Sequence, residues 1–263
     1  MITRTLREYR RGLLGWSTGI SLFMAMYIGI FASLRDDPAT LSAQAMAKYP
    51  GPLKDLMGGM QDIGTGTGYL QTVVYQLIVP LVFLVYAVGL ANRALAQPEE
   101  ARTLELVITL PIDRRRLLLE RWAGTALTLV ALAVATGAVV LLVAQSIDLG
   151  VPAGRILAAH TGVLLMTLCW ATLALSVGAA TGRAIYGTAA VGVWALAGYT
   201  ATTVGRGIEA ISWLKWVSPF HYYGEARPLY TGLPVGDYLV LVAVVAVLLL
   251  TAVLAFDRRD VGV

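Results

Sequence analysis

Three groupings of polar residues in this chain have types and spacings that could do chemistry. The first is Gly15-Trp16-Ser17-Thr18-Gly19, the G-x-S-x-G pattern that in hydrolases raises a serine nucleophile on a sharp strand-to-helix turn. Here it opens an apolar run, and the same residues supply Gly15-x-x-x-Gly19, a small-residue face suited to helix packing. A serine needs a base, and the chain has only two histidines, His160 and His221. Both fall toward the opposite ends of the apolar runs from Ser17. Packing is therefore the expected use, and an intramembrane serine hydrolase built on Ser17 is the enzyme alternative.

The second grouping is the set of ligand-type side chains. The two histidines lie far apart with no carboxylate cluster near them, and Cys169 is the single cysteine. That spacing predicts no metal site and no intrachain disulfide. His160 reads as a polar residue satisfied between helices. Gly64, Gly66 and Gly68 form GTGTGY without a preceding strand or a lysine, which predicts a loop, and no G-x-x-x-x-G-K-[ST] phosphate loop occurs. ATP-driven work must then be done by a partner.

The third grouping, at 97–122 (QPEEARTLELVITLPIDRRRLLLERW), carries the clearest order. Pro98 can open a helix, Glu99 and Glu100 suit its positive first turn, and Pro111 stops it. Leu104, Val107 and Ile108 would line one side, and Glu99, Arg102 and Glu105 the other, with Glu99 and Arg102 close enough to pair. Asp113 and Arg114–Arg116 then lead into the next apolar run. A capped amphipathic helix between membrane spans is a docking handle for a soluble partner. A solvated loop helix is the plainer reading, as a membrane anchor is for the arginine run.

The elements that must position these groups are set by composition. The 263 residues are 57% hydrophobic and 14% charged, with mean hydropathy +0.71, which marks an integral membrane protein and excludes a soluble domain of ordinary composition. Apolar runs predict one all-α membrane domain over 1–263 with six spans, about 13–33, 70–91, 122–144, 156–177, 184–204 and 238–256. Arg4, Arg7, Arg10 and Arg11 predict a basic interfacial helix before the first span. In the long connection after it, 41–49 and 53–60 could form short surface helices. Between 205 and 234, Trp213, Trp216, Phe220, Tyr222, Tyr223 and Tyr230 predict an outer aromatic helix, surface-lying or partly re-entrant. Gln71 and Gln76 place polar groups inside the second span, where they should face protein or water. With Tyr199, Trp213, Trp216, Phe220, His221, Tyr222 and Tyr223 they are candidates for a pathway or its outer gate.

Six spans put both termini on one side. That side carries the larger share of Lys and Arg, so the positive-inside rule places both termini, and the 97–122 segment, in the cytoplasm. The net charge of +4 is then a topology and headgroup signal, with no nucleic acid implied. Few charges lie inside the spans, which argues against a proton-driven antiporter.

Glu100-Ala101-Arg102-Thr103-Leu104-Glu105, followed by Leu110-Pro111 and Arg114, resembles the membrane subunits of bacterial ABC-2 type transporters. Arg102 stands where a Gly is common in that family. The six-span layout, the basic N-terminal segment, Ser218-Pro219 before the last span and the Phe256-Asp257-Arg258-Arg259-Asp260 ending are similar too. The resemblance implies a permease subunit of an exporter in a bacterial plasma membrane, moving an amphipathic or lipid-like molecule outward. It implies a second permease copy or a sister permease, and two copies of a cytoplasmic ATPase that holds the ATP and magnesium, with no cofactor in this chain. Glu99, Glu100, Arg102, Thr103, Leu104, Glu105, Ile108, Pro111 and Arg114 would form the coupling segment against that ATPase. A non-transporting anchor subunit is the remaining alternative.

Overall fold

A computed structural model describes residues 2–35, 62–104, 113–203 and 209–259, and leaves the side chains of 2–8, 77 and 209–212 undescribed. The described residues are helical and contain no strand. The elements are α1 (Ile2–Arg35), α2 (Gly66–Ala94), α3 (Ala96–Glu100), α4 (Arg114–Ser146), α5 (Ala153–Thr181) and α6 (Ala184–Thr203). A 3-10 helix (Glu209–Val217), α7 (Pro219–Gly224), α8 (Pro228–Thr231) and α9 (Val235–Arg258) follow. Five helices among the described residues are long and apolar enough to cross a membrane: Tyr9–Arg35 within α1, then α2, α4, α5 and α9. The remaining expected span, 184–204, coincides with α6, a helix of 20 residues that is less apolar because it carries four Thr, three Gly and two Tyr.

The expectation of a separate interfacial helix before the first span is corrected. α1 runs without a break from Ile2 to Arg35, because no Pro or helix-stopping pair separates the basic turns from the apolar ones, so hydrogen bonding propagates through both. The possible helices at 41–49 and 53–60 lie outside the described residues.

α5 is the most buried of the long helices and packs against α9, α2, α6 and α4. Its small residues allow this. A Cβ at Gly162 would lie 2.3 Å from the Tyr238 hydroxyl, so only glycine lets α9 come this close. Polar groups then tie the bundle across helices. Tyr238 donates to the Ala158 carbonyl (2.8 Å), Ser176 to the Leu248 carbonyl (2.7 Å), Trp122 to Thr172 Oγ1 (3.0 Å) and Asn92 to Thr188 Oγ1 (2.8 Å). Where no water competes, such bonds give polar side chains partners that hydrocarbon could not supply.

α2 contains a π-helical stretch, Leu70–Ile78. Its wide register is visible where the Val79 N–H bonds the Val74 carbonyl. Pro80 follows directly and has no N–H to continue that ladder, so it cannot serve the carbonyl of Tyr75 five residues back. The Tyr223 hydroxyl donates to that carbonyl instead (2.7 Å). The GTGTGY stretch is also more ordered than a loop. Thr65 caps the start of α2 by accepting from the Gly68 N–H (3.0 Å), and Gly66 lies so near the Leu149 carbonyl that a Cβ would sit 2.1 Å from it.

Candidate functional site

One end of the bundle gathers the charged residues that the sequence singles out. Asp113 caps α4 by accepting from the Arg115 N–H (3.0 Å), which turns Arg114 and Arg115 toward the chain's last described residues. Arg114 donates to the Arg259 carbonyl (2.8 Å), and Arg115 pairs with Asp257 (2.6 Å). Arg259 in turn pairs with Glu99, and both side chains are largely buried. Glu100 accepts from the Ala184 N–H (2.9 Å), and so caps the positive N-terminus of α6. Gly182, left-handed at φ 72°, closes α5 against these groups, and a Cβ there would sit 2.6 Å from Glu99 Oε1. The 96–104 segment is thereby fastened to three helix ends: the C-terminus of α5, the N-terminus of α6 and the C-terminus of α9.

The described part of this segment differs from the helix expected over 99–110. α3 ends at Glu100, and both Thr103 and Leu104 return their N–H groups to the Pro98 carbonyl (2.9 and 3.0 Å). Arg102 takes φ 54°, a left-handed conformation that a continuing right-handed helix cannot contain. The expected Glu99–Arg102 pair does not form, because Glu99 turns to Arg259 and leaves Arg102 exposed. Thr103 is exposed, and its hydroxyl donates to the Pro98 carbonyl (3.0 Å), whereas Leu104 is buried. Glu105, Ile108 and Pro111 lie outside the described residues, as do the side chains of Arg4 and Arg7. Arg10 and Arg11 are exposed on α1.

The opposite half of the bundle holds a cavity of about 250 Å³ between α2, α6 and the 219–231 segment. Gln71, Gln76, Tyr199, Phe220 and Tyr223 all line it, so five of the pathway residues read from the sequence share one space. Trp213 and Trp216 are exposed instead. Tyr222 donates to the Trp216 carbonyl (2.8 Å), and the His221 ring stacks edgewise between Trp216 and Tyr222 with Nδ1 2.8 Å from Glu225 Oε2. Sequence reasoning missed Thr72, Thr202, Thr203, Glu225 and Arg227 as lining residues. The spacing Tyr199, Thr202, Thr203 is one helical face and could have pointed to two of them. The Arg227 guanidinium lies over the Tyr230 ring (6.0 Å), and burial, aided by Asp62, raises the Tyr230 pKa above its ordinary value.

The 219–231 segment penetrates the bundle. Phe220 packs on Trp170, 5.4 Å between ring centres, and Trp170 sits past the middle of α5. Ser218 meets Gly198 of α6 closely enough that a Cβ there would lie 2.6 Å from its hydroxyl.

The catalytic groupings do not assemble. Ser17 lies within unbroken α1 and donates to the Leu14 carbonyl (3.2 Å). His160 is buried between Tyr75, whose hydroxyl is 2.7 Å from Nδ1, and Thr136, whose hydroxyl is 3.2 Å from Nε2. It is a polar residue satisfied between helices, as expected.

A chain whose described elements are all helices, several of them of membrane length, and whose charged end is cross-tied is a multi-pass membrane protein. The chain matches the family described as the multidrug efflux system permease Rv1217c, C-terminal domain, over residues 3–257, and it belongs to this family of ABC-2 type permeases. It is thus a transporter subunit rather than an enzyme. Comparison with curated proteins returns no match.

Proposed function

We propose that the chain is the permease of an ATP-driven exporter in which a separate cytoplasmic ATPase supplies the energy. The observation that carries this reading is the fastening of 96–104 to the ends of α9 and α6 through Glu99–Arg259 and Glu100–Ala184, with Gly182 at the end of α5 packed against Glu99. A partner that pushed on this segment would move three helix ends together, and displacement would pass to the helices as rigid elements. In this reading α6 also spans the membrane and brings the count to six, both termini and the charged end face the cytoplasm of a bacterium, and 209–231 re-enters from the outer face. Two permeases, identical or sister chains, pair with two ATPases that bind ATP and magnesium. The cavity lined by Gln71, Tyr199 and Tyr223 belongs to the substrate path or its outer gate. The family's name, together with a lining that mixes amides, hydroxyls and aromatic rings, favours amphipathic drug-like or lipid-like molecules.

The test is purification of the tagged chain from its native membrane, identification of what accompanies it, and assay of ATP hydrolysis. A near-stoichiometric ATPase whose association or stimulation is lost in Glu100→Ala is the expected result. A chain that purifies without any ATPase, with its fold intact, would sink the reading and reduce 96–104 to a structural tie.

A further inference from the structure

Two furrows run down the outer face of the α1–α2 pair from a common mouth. The wider, about 450 Å³, extends from Arg11 through Gly15 and Gly19 to Phe23, with Val79 and Val82 opposite. The second, about 230 Å³, lies between Tyr9, Tyr86, Gly89 and Arg93. Gly12 and Trp16 belong to both. Trp16 stacks on Tyr86 with ring centres 5.3 Å apart and forms the ridge that parts them. At the mouth, an Arg93 guanidinium nitrogen lies 4.0 Å from where a side chain at Gly12 would begin, next to Arg11. Neither arginine has an ion-pair partner among the described residues.

We propose that this face holds an anionic glycerophospholipid of the bilayer, its phosphate at Arg11, Arg93 and Tyr86 and its two acyl chains in the two furrows. The Tyr86 hydroxyl is the independent sign of a ligand. Tyr86 is 6% exposed, it lines the second furrow, and its hydroxyl is buried with no hydrogen-bond partner among the described residues. A buried donor without an acceptor costs free energy that a phosphate oxygen would recover. Two arginines beside it select an anion. Arg11 to Phe23 spans about 18 Å of helix, close to one leaflet of a hydrocarbon core about 30 Å thick. One headgroup above two apolar furrows divided by a ring matches a molecule with one phosphate and two chains better than it matches a neighbouring helix. The proposal needs only that the chain is embedded in a bilayer and does not depend on export.

The experiment is native mass spectrometry of the full purified chain after incubation with phosphatidylglycerol or phosphatidylcholine of equal acyl length. Phosphatidylglycerol should be retained preferentially. Arg11→Gln and Arg93→Gln should each weaken its retention about fivefold and weaken phosphatidylcholine less, because choline offsets the charge of that lipid's phosphate. Tyr86→Phe should weaken both lipids, since each carries the phosphate that the hydroxyl serves. Gly15→Leu should displace both lipids, and since nothing lies within 4 Å of a Cβ at Gly15, that variant adds its side chain to open space. Equal retention of the two lipids, or phosphatidylglycerol retention unaltered in the double arginine variant, would overturn the proposal. So would a Gly15→Leu variant that changes the number of copies in the complex without changing bound lipid, since the furrows would then be an interface between permeases.

Discussion

The Tyr223 hydroxyl bonds the backbone carbonyl of Tyr75 (2.7 Å), the acceptor that the π register of α2 reserves for position 80, where proline has no N–H to give. A residue on the penetrating 219–231 segment thus completes the backbone of a helix 148 positions earlier. The same Tyr75 sends its own hydroxyl to His160 (2.7 Å), so α2, α5 and α7 meet at one polar node.

Tyr223→Phe should therefore leave a buried carbonyl unserved and lower unfolding stability in detergent by about 1–3 kcal/mol. Tyr222→Phe is the control, because its hydroxyl serves the carbonyl of exposed Trp216 and its loss should stay within about 0.5 kcal/mol. Equal melting curves for the two variants would mean that Pro80 needs no outside donor.

Glu99 and Arg259 form the largely buried ion pair of the charged end. Glu99→Ala or Arg259→Ala strands the other charge, and each should destabilise by about 3 kcal/mol. The double variant should be less harmful than the sum of the two, with a coupling of about 1–3 kcal/mol in a double-mutant cycle. Additive losses, measured by thermal unfolding, would show that the two ends are held independently.

Arg102 occupies a left-handed conformation at φ 54°, one that glycine adopts without steric cost. Arg102→Gly should leave the turn intact and stabilise it by up to about 1 kcal/mol. Arg102→Val should do the reverse, since a β-branched residue tolerates positive φ poorly. Chemical denaturation of the three chains orders them, and a glycine variant less stable than the parent would contradict the backbone assignment.

Apolar runs in the sequence marked the long helices because a bilayer demands about 20 such residues per crossing, and α2, α4, α5 and α9 start and stop within a few residues of those runs, except that polar turns extend α4 by eight residues at its start. α1 was longer than its apolar run because four arginines do not stop a helix. Gln71, Gln76 and Tyr199 were legible as cavity residues for the same reason that they were conspicuous: an amide or phenol inside an apolar run needs a polar neighbour. Glu99 was not legible in this way. Its helix-spaced neighbour Arg102 gave a local partner on paper, and nothing in 97–122 announces that Arg259, 160 residues later, competes for it and wins. The π stretch was hidden too, since Pro80 signals a kink but leaves open which register absorbs it.

Gln71 gives the sharpest test of the cavity. Its Oε1 is buried with no hydrogen-bond partner among the described residues, and it shares the space with Tyr199 and Tyr223. If substrates pass here, a donor group on the substrate would satisfy that oxygen, and Gln71→Leu would forfeit the bond while keeping the side chain's bulk. Export of such substrates from reconstituted vesicles should then show KM raised about tenfold, the loss expected for one hydrogen bond to a buried group. Assembly with the ATPase and its basal hydrolysis should be unchanged, because the 96–104 tie lies at the other end of the bundle. Thr181→Ala, at the far end of α5, should leave KM as it was. A Gln71→Leu permease with unaltered KM for every exported compound would place the path elsewhere and leave this cavity a packing defect beside the π helix.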